Sequence, residues 1–578
     1  MARGRCLLMP FTVVLILAVS SAVLAADSVL QAIPKNALGF VVVNRLAKTD
    51  AKLQTFSQAL QLPIPSSMAM LKTSDLGEGL DGNGAAAMFF VQIDEEDIEP
   101  ASVLLLPAPN YAGLIKQGDA GKSDQKVSRI QFLGSTFAVR KLGPFAALAQ
   151  TQHEKILESL TEPAEIPAEV RPLVAWIDDN DVAAVLMQHG IKVFATYVQT
   201  QISDVKETLS SLGDEGQVVG TMLAIYDQLF GLVKKEASAL SLGLKIEPGN
   251  TLRIASRLRA QPQGKLTAVL SQIGPANQDL LSGLPQNDYV LALGGRMPEG
   301  LSKALLEWST QMMVQMRSIY GLNEAQARKM AELSYGTLPD MKSMNFLLAV
   351  GQDAKTPLLH GLLGTIQVTD SKKFLQEYLK QIKDLTQLVQ EAKTDRLGKT
   401  EAQKVQIQGL DAVKVVMTMP QLPGPGPAQF GEIMQKLFGA DGKITAHVVA
   451  VDRTHIAMIY GNQDLLGQVT QVLKGSQPGL PTELHLAKTA ALLPKQGQMI
   501  GYWSLPGTIG LVNRAIVAFG LDQQGIKPLP EPPAAPPIGF AVTVAPEEIQ
   551  KEVVIPGELL QKARRYVIEV IMAMQGQP

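Results

Sequence analysis

Ile33-Pro34-Lys35-Asn36 leads into an apolar strand over 38–43 that ends at Asn44-Arg45, with a helix expected from about Asp50. Leu284-Pro285-Gln286-Asn287 leads into a second strand over 289–293 that ends at Gly295-Arg296, again before a helix. Pro34, Asn36 and Arg45 match Pro285, Asn287 and Arg296 at one constant offset of 251. Chance seldom carries a single offset across strand, turn and helix, so the chain reads as an internal duplication and its fold must satisfy the same plan twice.

Later elements keep step. Strands near Met88 and Leu348 are each followed by a second strand and by a helix start at Asn110 or Asp370, residues that cap helices by accepting backbone N–H bonds. Gly121-Lys122-Ser123 parallels Gly398-Lys399-Thr400, each before an alternating hairpin that turns at Gly134 or Gly409. A strand containing Trp176 parallels one containing Trp503, and each half closes on a hairpin, through residues 247–250 or 545–548, then a helix after Gly264 or Gly557.

The halves differ in their additions. The first has an expected helical hairpin whose outgoing arm carries the stripe Val182, Val185, Ile191, Phe194, Val198, Ile202, Val205 and Leu209, with a turn at 213–216 and a return arm through Met222, Ile225, Leu229 and Val233. In the second, proline-rich residues 527–537 replace the return arm, residues 420–427 form a linker, and an extra hairpin holds His447 on one strand and His455 on the other. This order is that of an α+β protein: a duplication of antiparallel sheets covered by helices, with a long helical hairpin in the first copy. The expected division is 1–25, 26–280 and 281–578.

Residues 1–25 carry the marks of a secretory signal. Arg3 and Arg5 precede a mostly apolar run over 7–23, and in Val23-Leu24-Ala25-Ala26 small residues sit at the −1 and −3 positions of a cleavage site. The rival is an uncleaved anchor, against which Pro10 and the small residues near Ser20 count. No later stretch is apolar for long enough to span a bilayer. Cys6, the single cysteine, lies within the signal, so the exported chain must be held by its cores rather than by disulfides. The full sequence has 52 basic residues against 54 acidic ones, and the loss of Arg3 and Arg5 with the signal makes the balance more acidic still, so there is no basic field for nucleic acid. At 18% charged and 46% hydrophobic the chain is short of polar surface, which calls for extensive burial or contact surfaces.

The motifs that suggest chemistry lack its context. Gly77-Glu78-Gly79-Leu80-Asp81-Gly82 fits a dinucleotide fingerprint but precedes a strand instead of following one. The Gly-Lys-Ser/Thr tripeptides also precede strands, and Lys116 and Lys393 stand where a phosphate loop needs its first glycine. Six histidines, at 153, 189, 360, 447, 455 and 485, show no metal-ligand spacing. Asp94-Glu95-Glu96-Asp97 reads as a solvated hairpin loop and Asp178-Asp179-Asn180-Asp181 as the cap of a helix from Val182, neither as a calcium loop. Leu301, Leu305, Trp308, Met312, Met316 and Ile319 form one helical stripe, a core face or a pliable apolar groove.

The leucine- or isoleucine-proline start, the strand and helix after it, and the duplicated layout resemble exported proteins of unknown function from planctomycetes and related bacteria. The resemblance implies an envelope location of the Gram-negative type and carries over no activity or site residue. The expected function is a non-catalytic envelope protein that binds or scaffolds, with a protein or lipid partner. The alternatives are a periplasmic carrier of an apolar ligand such as a lipid and, third, an enzyme whose site is assembled only by the fold. No cofactor or metal is expected. Catalytic residues are unknown, and the candidate interaction surface is Phe194, Val198, Ile202 and Val205.

Overall fold

A computed structural model of the chain describes residues 26–73, 79–92, 100–115, 127–132, 134–161, 165–210, 213–274, 280–351, 356–394, 397–418, 427–439 and 443–575. The signal segment, the Asp94-Glu95-Glu96-Asp97 cluster, Gly121-Lys122-Ser123 and all but the last residue of the 420–427 linker lie outside the described residues. The protein is a mixed α/β molecule built on antiparallel sheet. Its chain separates into two compact units, residues up to 205 with 226–264, and 206–225 with 265 onward.

In chain order the first unit contains β1 (Gly39–Val43), α1 (Leu46–Leu60), β2 (Ala86–Val91), β3 (Ala101–Pro107), β4 (Ser128–Phe132), β5 (Ser135–Leu142), β6 (Phe145–Gln150) and β7 (Val182–Met187). Then come α2 (Gln188–Ser210), α3 (Gly213–Glu236), β8 (Ala237–Glu247) and β9 (Thr251–Ala260). The distal turns of α2 and α3 group with the second unit. The strands pair in the order β9-β8-β7-β1-β2-β3-β6-β5-β4, every pair antiparallel. β1 lies between β2 and β7 and is covered on both faces, which explains why its Phe-Val-Val-Val run is continuously apolar. Phe40, Val42, Phe89, Leu105 and Val185 belong to the main core, and Val43, Leu104, Leu106 and Val139 to a smaller one.

The second unit contains β10 (Tyr289–Arg296), α4 (Glu299–Gln315), α5 (Glu324–Tyr335), β11 (Met341–Ala349), β12 (Leu362–Val368), α6 (Ser371–Ala392), β13 (Lys399–Ile407) and β14 (Leu410–Thr418). It continues with α7 (Pro427–Phe438), β15 (Lys443–Ala450), β16 (His455–Tyr460), α8 (Asp464–Leu473), β17 (Met499–Trp503), α9 (Leu505–Ala518), β18 (Ile538–Ala545), β19 (Glu548–Ile555) and α10 (Gly557–Met574). The order here is β19-β18-β17-β10-β11-β12-β16-β15-β14-β13, again antiparallel. Asp370 caps α6 by accepting from the Lys373 amide, and Asn110 accepts from the Gly113 amide in the same way.

Several local expectations need correction. Trp176 sits on a short helix, Val174–Asp179, and the strand is β7, which takes Val182 and Val185 out of the helical arm. A six-residue apolar run has no period that separates strand from helix, and pairing with β1 and β8 decides it. The 178–181 cluster therefore caps nothing ahead of it. Asp179 pairs with Lys245, while Asp181 pairs with Lys52 and accepts the Ile246 amide. Residues 213–216 open α3 instead of making a turn. The hairpin of His447 and His455 exists as β15–β16, yet β16 lies beside β12 as β6 lies beside β3, so the surplus is one strand. A bulge between Tyr289 and Leu291 also breaks the constant offset: at the strand ends the Asn44 amide donates to Asp181 and the Arg296 amide to Gln498, making Arg296 level with Asn44 rather than Arg45.

Each central strand is locked against the helix that follows its neighbour. Gly190, near the start of α2, lies so close to β1 that a Cβ there would fall 1.9 Å from the Leu38 carbonyl oxygen, and Gly507, near the start of α9, would place one 1.8 Å from that of Tyr289. Both contacts are with backbone, which cannot step aside. Gly190→Ala and Gly507→Ala are each expected to cost about 1–3 kcal/mol in urea unfolding. Gly467→Ala, on the open face of α8, is expected to gain up to about 1 kcal/mol.

Candidate functional site

α2 and α3 contact each other through polar and aromatic groups. Phe194 meets Phe230 edge-on with ring centroids 6.3 Å apart, Gln199 donates to Asp227 at 2.9 Å, and Lys234 donates to Thr196 at 2.8 Å. Ile191, Ala195 and Ile202 form the buried face of α2, Ile202 being 8% exposed. Of the four residues expected at an interaction surface, Ile202 is thus core and Val198 half-buried, whereas Phe194 is 51% exposed and Val205 also stands in solvent. On α3 Tyr226, Leu229 and Leu232 are exposed, and Glu236 is the only buried residue among its described side chains. The sequence stripe joined a strand to a helix and, within the helix, a solvent-facing ring to a core side chain.

A second apolar surface follows from an inverted strand. On β8 the small residues Ala237, Ala239, Ser241 and Gly243 point inward, while Leu240, Leu242 and Leu244 alternate onto the other face, with Leu242 53% exposed. Leu258 and Ile254 of β9 stand opposite Leu240 and Leu244 and are only partly covered. In the second unit the stripe that α4 begins is only half-buried at Leu301, Leu305 and Met312 and exposed at Trp308, while Met313 and Val314 of the same helix pack against the cluster of Leu322, Ala327, Met330 and Leu388.

One cavity gathers ionisable groups. It measures about 270 Å³ and is lined by Leu359, His360, Phe438, Lys443, Thr445 and His447, together with Gly439, Ile444, Tyr460 and Gly461. Alternation along β15 puts Lys443, Thr445 and His447 on one side, with Lys414 of β14 opposite His447. Tyr460 stands opposite Ala446, on the other side, where burial and then the neighbouring Tyr460 push the Tyr378 hydroxyl up to about 12. His447 is 8% exposed, and its Nδ1 is buried without a hydrogen-bond partner. Burial lowers the pKa of both histidines, assisted by the Arg514 guanidinium at His360 and the Lys414 ammonium at His447.

Residues 360 and 447 are far apart in sequence, and no spacing signal could have joined them; the turn before β12 and the start of β15 do so. The remaining histidines are dispersed, His455 pairing with Asp452 and His485 lying on the short helix Leu484–Ala490. Among the described residues no three His, Cys, Asp or Glu side chains are grouped to hold a metal ion. Lys399 and Thr400 open β13, the reverse of a phosphate loop. No known protein family matches the sequence, and neither a curated protein nor a solved structure is significantly similar to it.

The buried histidines carry a pH dependence. A folded-state pKa below the unfolded value, ordinarily about 6.5, means that the unfolded chain binds more protons in that window. The stability contributed by neutral His360 and His447 is complete above the ordinary value and is lost as pH falls through the lowered ones. Chemical denaturation between about pH 7.5 and 5 is expected to show falling stability, with a shallower slope in His447→Gln.

Proposed function

We propose that this protein is an exported, non-catalytic binding or scaffolding module of the cell envelope, made of two copies of one α/β unit and carrying its contact surface on the helical hairpin α2–α3. The observation that carries the reading is the exposure of Phe194, Val205, Tyr226, Leu229 and Leu232 on that helix pair. Soluble monomers seldom leave a large contiguous apolar patch uncovered. Among the described residues no helix is long and apolar enough to cross a membrane, so the apolar surface of α3 is not read as a span.

Support for the duplication comes from the matching strand orders about β1 and β10, from the helix-start glycines packed on Leu38 and Tyr289, and from the hairpin and helix that close each unit. A helix pair between β7 and β8, where the other unit passes from α9 to β18 through residues 527–537 without helix or strand, is then the first copy's own addition. Additions to a repeated scaffold are where new binding surfaces arise.

A second reading, a carrier of an apolar ligand such as a lipid, is favoured by one observation: the half-exposed leucines of β8. Phe194→Asp with Leu229→Asp separates the two. The scaffold reading expects loss of a co-purifying protein from native-host material with thermal unfolding unchanged, because exposed positions contribute little to stability. Lipid found by mass spectrometry in the purified protein, retained in that variant and lost in Leu242→Asp, favours the carrier. Ile202→Asp is expected to cost upward of about 3 kcal/mol. Export is tested by the intact mass of the secreted chain, expected to begin after Ala25 or Ala26; a chain that keeps residues 1–23 and resists extraction from membranes makes the segment an anchor.

A further inference from the structure

The β13 edge of the second unit's sheet is independent of the apolar surfaces. There β13 pairs only with β14 among the described residues, and α6 lies over one face of the two strands. We propose that this edge binds an extended acidic peptide of a partner protein, which adds as an antiparallel strand beside residues 402–406 with its carboxylates turned toward Lys383 and Lys404.

The phase of the ladder fixes what the edge offers. Gln408 and Gly409, at φ +52° and +76°, make a two-residue turn of type I′, so Ile407 and Leu410 exchange hydrogen bonds. Bonding in an antiparallel pair alternates, and residues 399, 401, 403 and 405 therefore also bond inward to β14. The N–H and C=O groups of Thr400, Ala402, Lys404 and Gln406 point the other way. Thr400 agrees with this phase, since its carbonyl accepts from the Thr386 hydroxyl of α6 at 2.6 Å. At Ala402, Lys404 and Gln406 neither amide nor carbonyl meets a partner among the described residues. A row of three outward donor–acceptor sites is a template for one more strand.

The same alternation decides the chemistry of the occupant. Residues that exchange bonds across an antiparallel pair share a face, so peptide residues opposite Ala402 and Lys404 turn their side chains to the side of α6. Ala402 packs there against the cluster of Phe374, Leu375 and Val415. A groove of about 440 Å³ runs between strand and helix, lined by Lys383, Thr386, Gln387 and Gln390 and by residues 400–402. Lys383 is exposed and makes no hydrogen bond or ion pair with a described residue, and Lys404 reaches Asp411 only at 4.0 Å. Alternation sets Glu401 on the opposite face, and Glu391 is taken up along the helix by the Gln387 amide. A strand with a carboxylate at every second position therefore meets both cations. A second copy of this chain does not: pairing β13 with itself about a twofold axis brings the two Lys404 side chains, and the two α6 helices with their Lys383, to one face of the joined sheet, like charge toward like charge.

The experiment is fluorescence polarisation of labelled heptapeptides on the full chain, alongside hydrogen exchange resolved to single residues by mass spectrometry. The probe alternates glutamate with valine; one control has lysine for glutamate, and the other has its glutamate amides N-methylated. The glutamate peptide is expected to bind saturably and at least about tenfold tighter than either control, because one meets like charge and the other lacks the N–H donors. Its binding is expected to slow exchange at Ala402, Lys404 and Gln406 and to leave Glu401, Gln403 and Val405, already bonded to β14, unchanged. Lys383→Glu, at an exposed position, is expected to weaken the glutamate peptide severalfold and to favour the lysine peptide, with an unchanged melting temperature. Gln406→Pro removes one outward donor and no ladder bond, and is also expected to weaken binding severalfold. The assignment is overturned if the glutamate peptide does not bind saturably, if either control binds as tightly, if Lys383→Glu leaves the preference between peptides unchanged, or if the three amides are already protected in the free chain, whether by the chain itself or by a second copy.

Discussion

The antiparallel pairing at the centre of each sheet, β1 with β7 and β10 with β17, is the constraint from which the rest of each unit follows. Both strands of a pair come from distant parts of the unit, and the helices that follow β7 and β17 begin against the backbone that leads into β1 and β10. The pairing is held at its end by buried polar contacts. Asn44 is 3% exposed and donates from its side chain to the carbonyls of Ile177 and Asn180, and Asn180 returns a bond to that of Trp176. Buried amides so satisfied fix one register, because slipping by one residue would strand every one of them and turn the core face of β1 to the wrong side.

From that pairing the outer strands build in two directions with different chemistry. Toward β2, β3 and β6 the sheet is covered on both faces, and Phe89, Leu105, Phe145 and Leu148 are buried there among alanines. Toward β8 and β9 the packed face is made of alanine, glycine and serine, and the leucines face outward. Small residues allow the backbone to approach its covering layer closely, and they shift the burden of hydrophobic contact to the opposite face. The low charge content of the sequence is explained in part by this inversion: part of the apolar composition lies on half-exposed strand and helix faces rather than in cores.

What the sequence made legible were features with local causes. The hairpins turning through residues 247–250 and 545–548 could be placed because turn chemistry sits beside alternating residues, and Asn110 and Asp370 were recognisable as caps because capping is a contact within three residues. What failed depended on partners far along the chain. Val182–Met187 is as apolar as a helix segment and becomes a strand only because β1 and β8 flank it. Phe194 and Ile202 looked alike in the stripe, and only the tertiary fold separates a solvent-facing ring from a core side chain. The cavity at His360 and His447 lay beyond any motif, since its two imidazoles meet through sheet order and not through spacing.

The central place of β1 has a consequence for how the chain comes to be folded. Any polypeptide is made N-terminus first, so Gly39–Val43 is made well before its partner on one side, Val182–Met187. Until then a short run of phenylalanine and valines has one open backbone edge and no neighbour to close it, the arrangement most prone to pairing with another chain. Long-range strand pairing is slow, and the delay grows with every residue that must be delivered before it. This architecture therefore places its demand on the nascent chain, during the interval in which that edge stands unpaired.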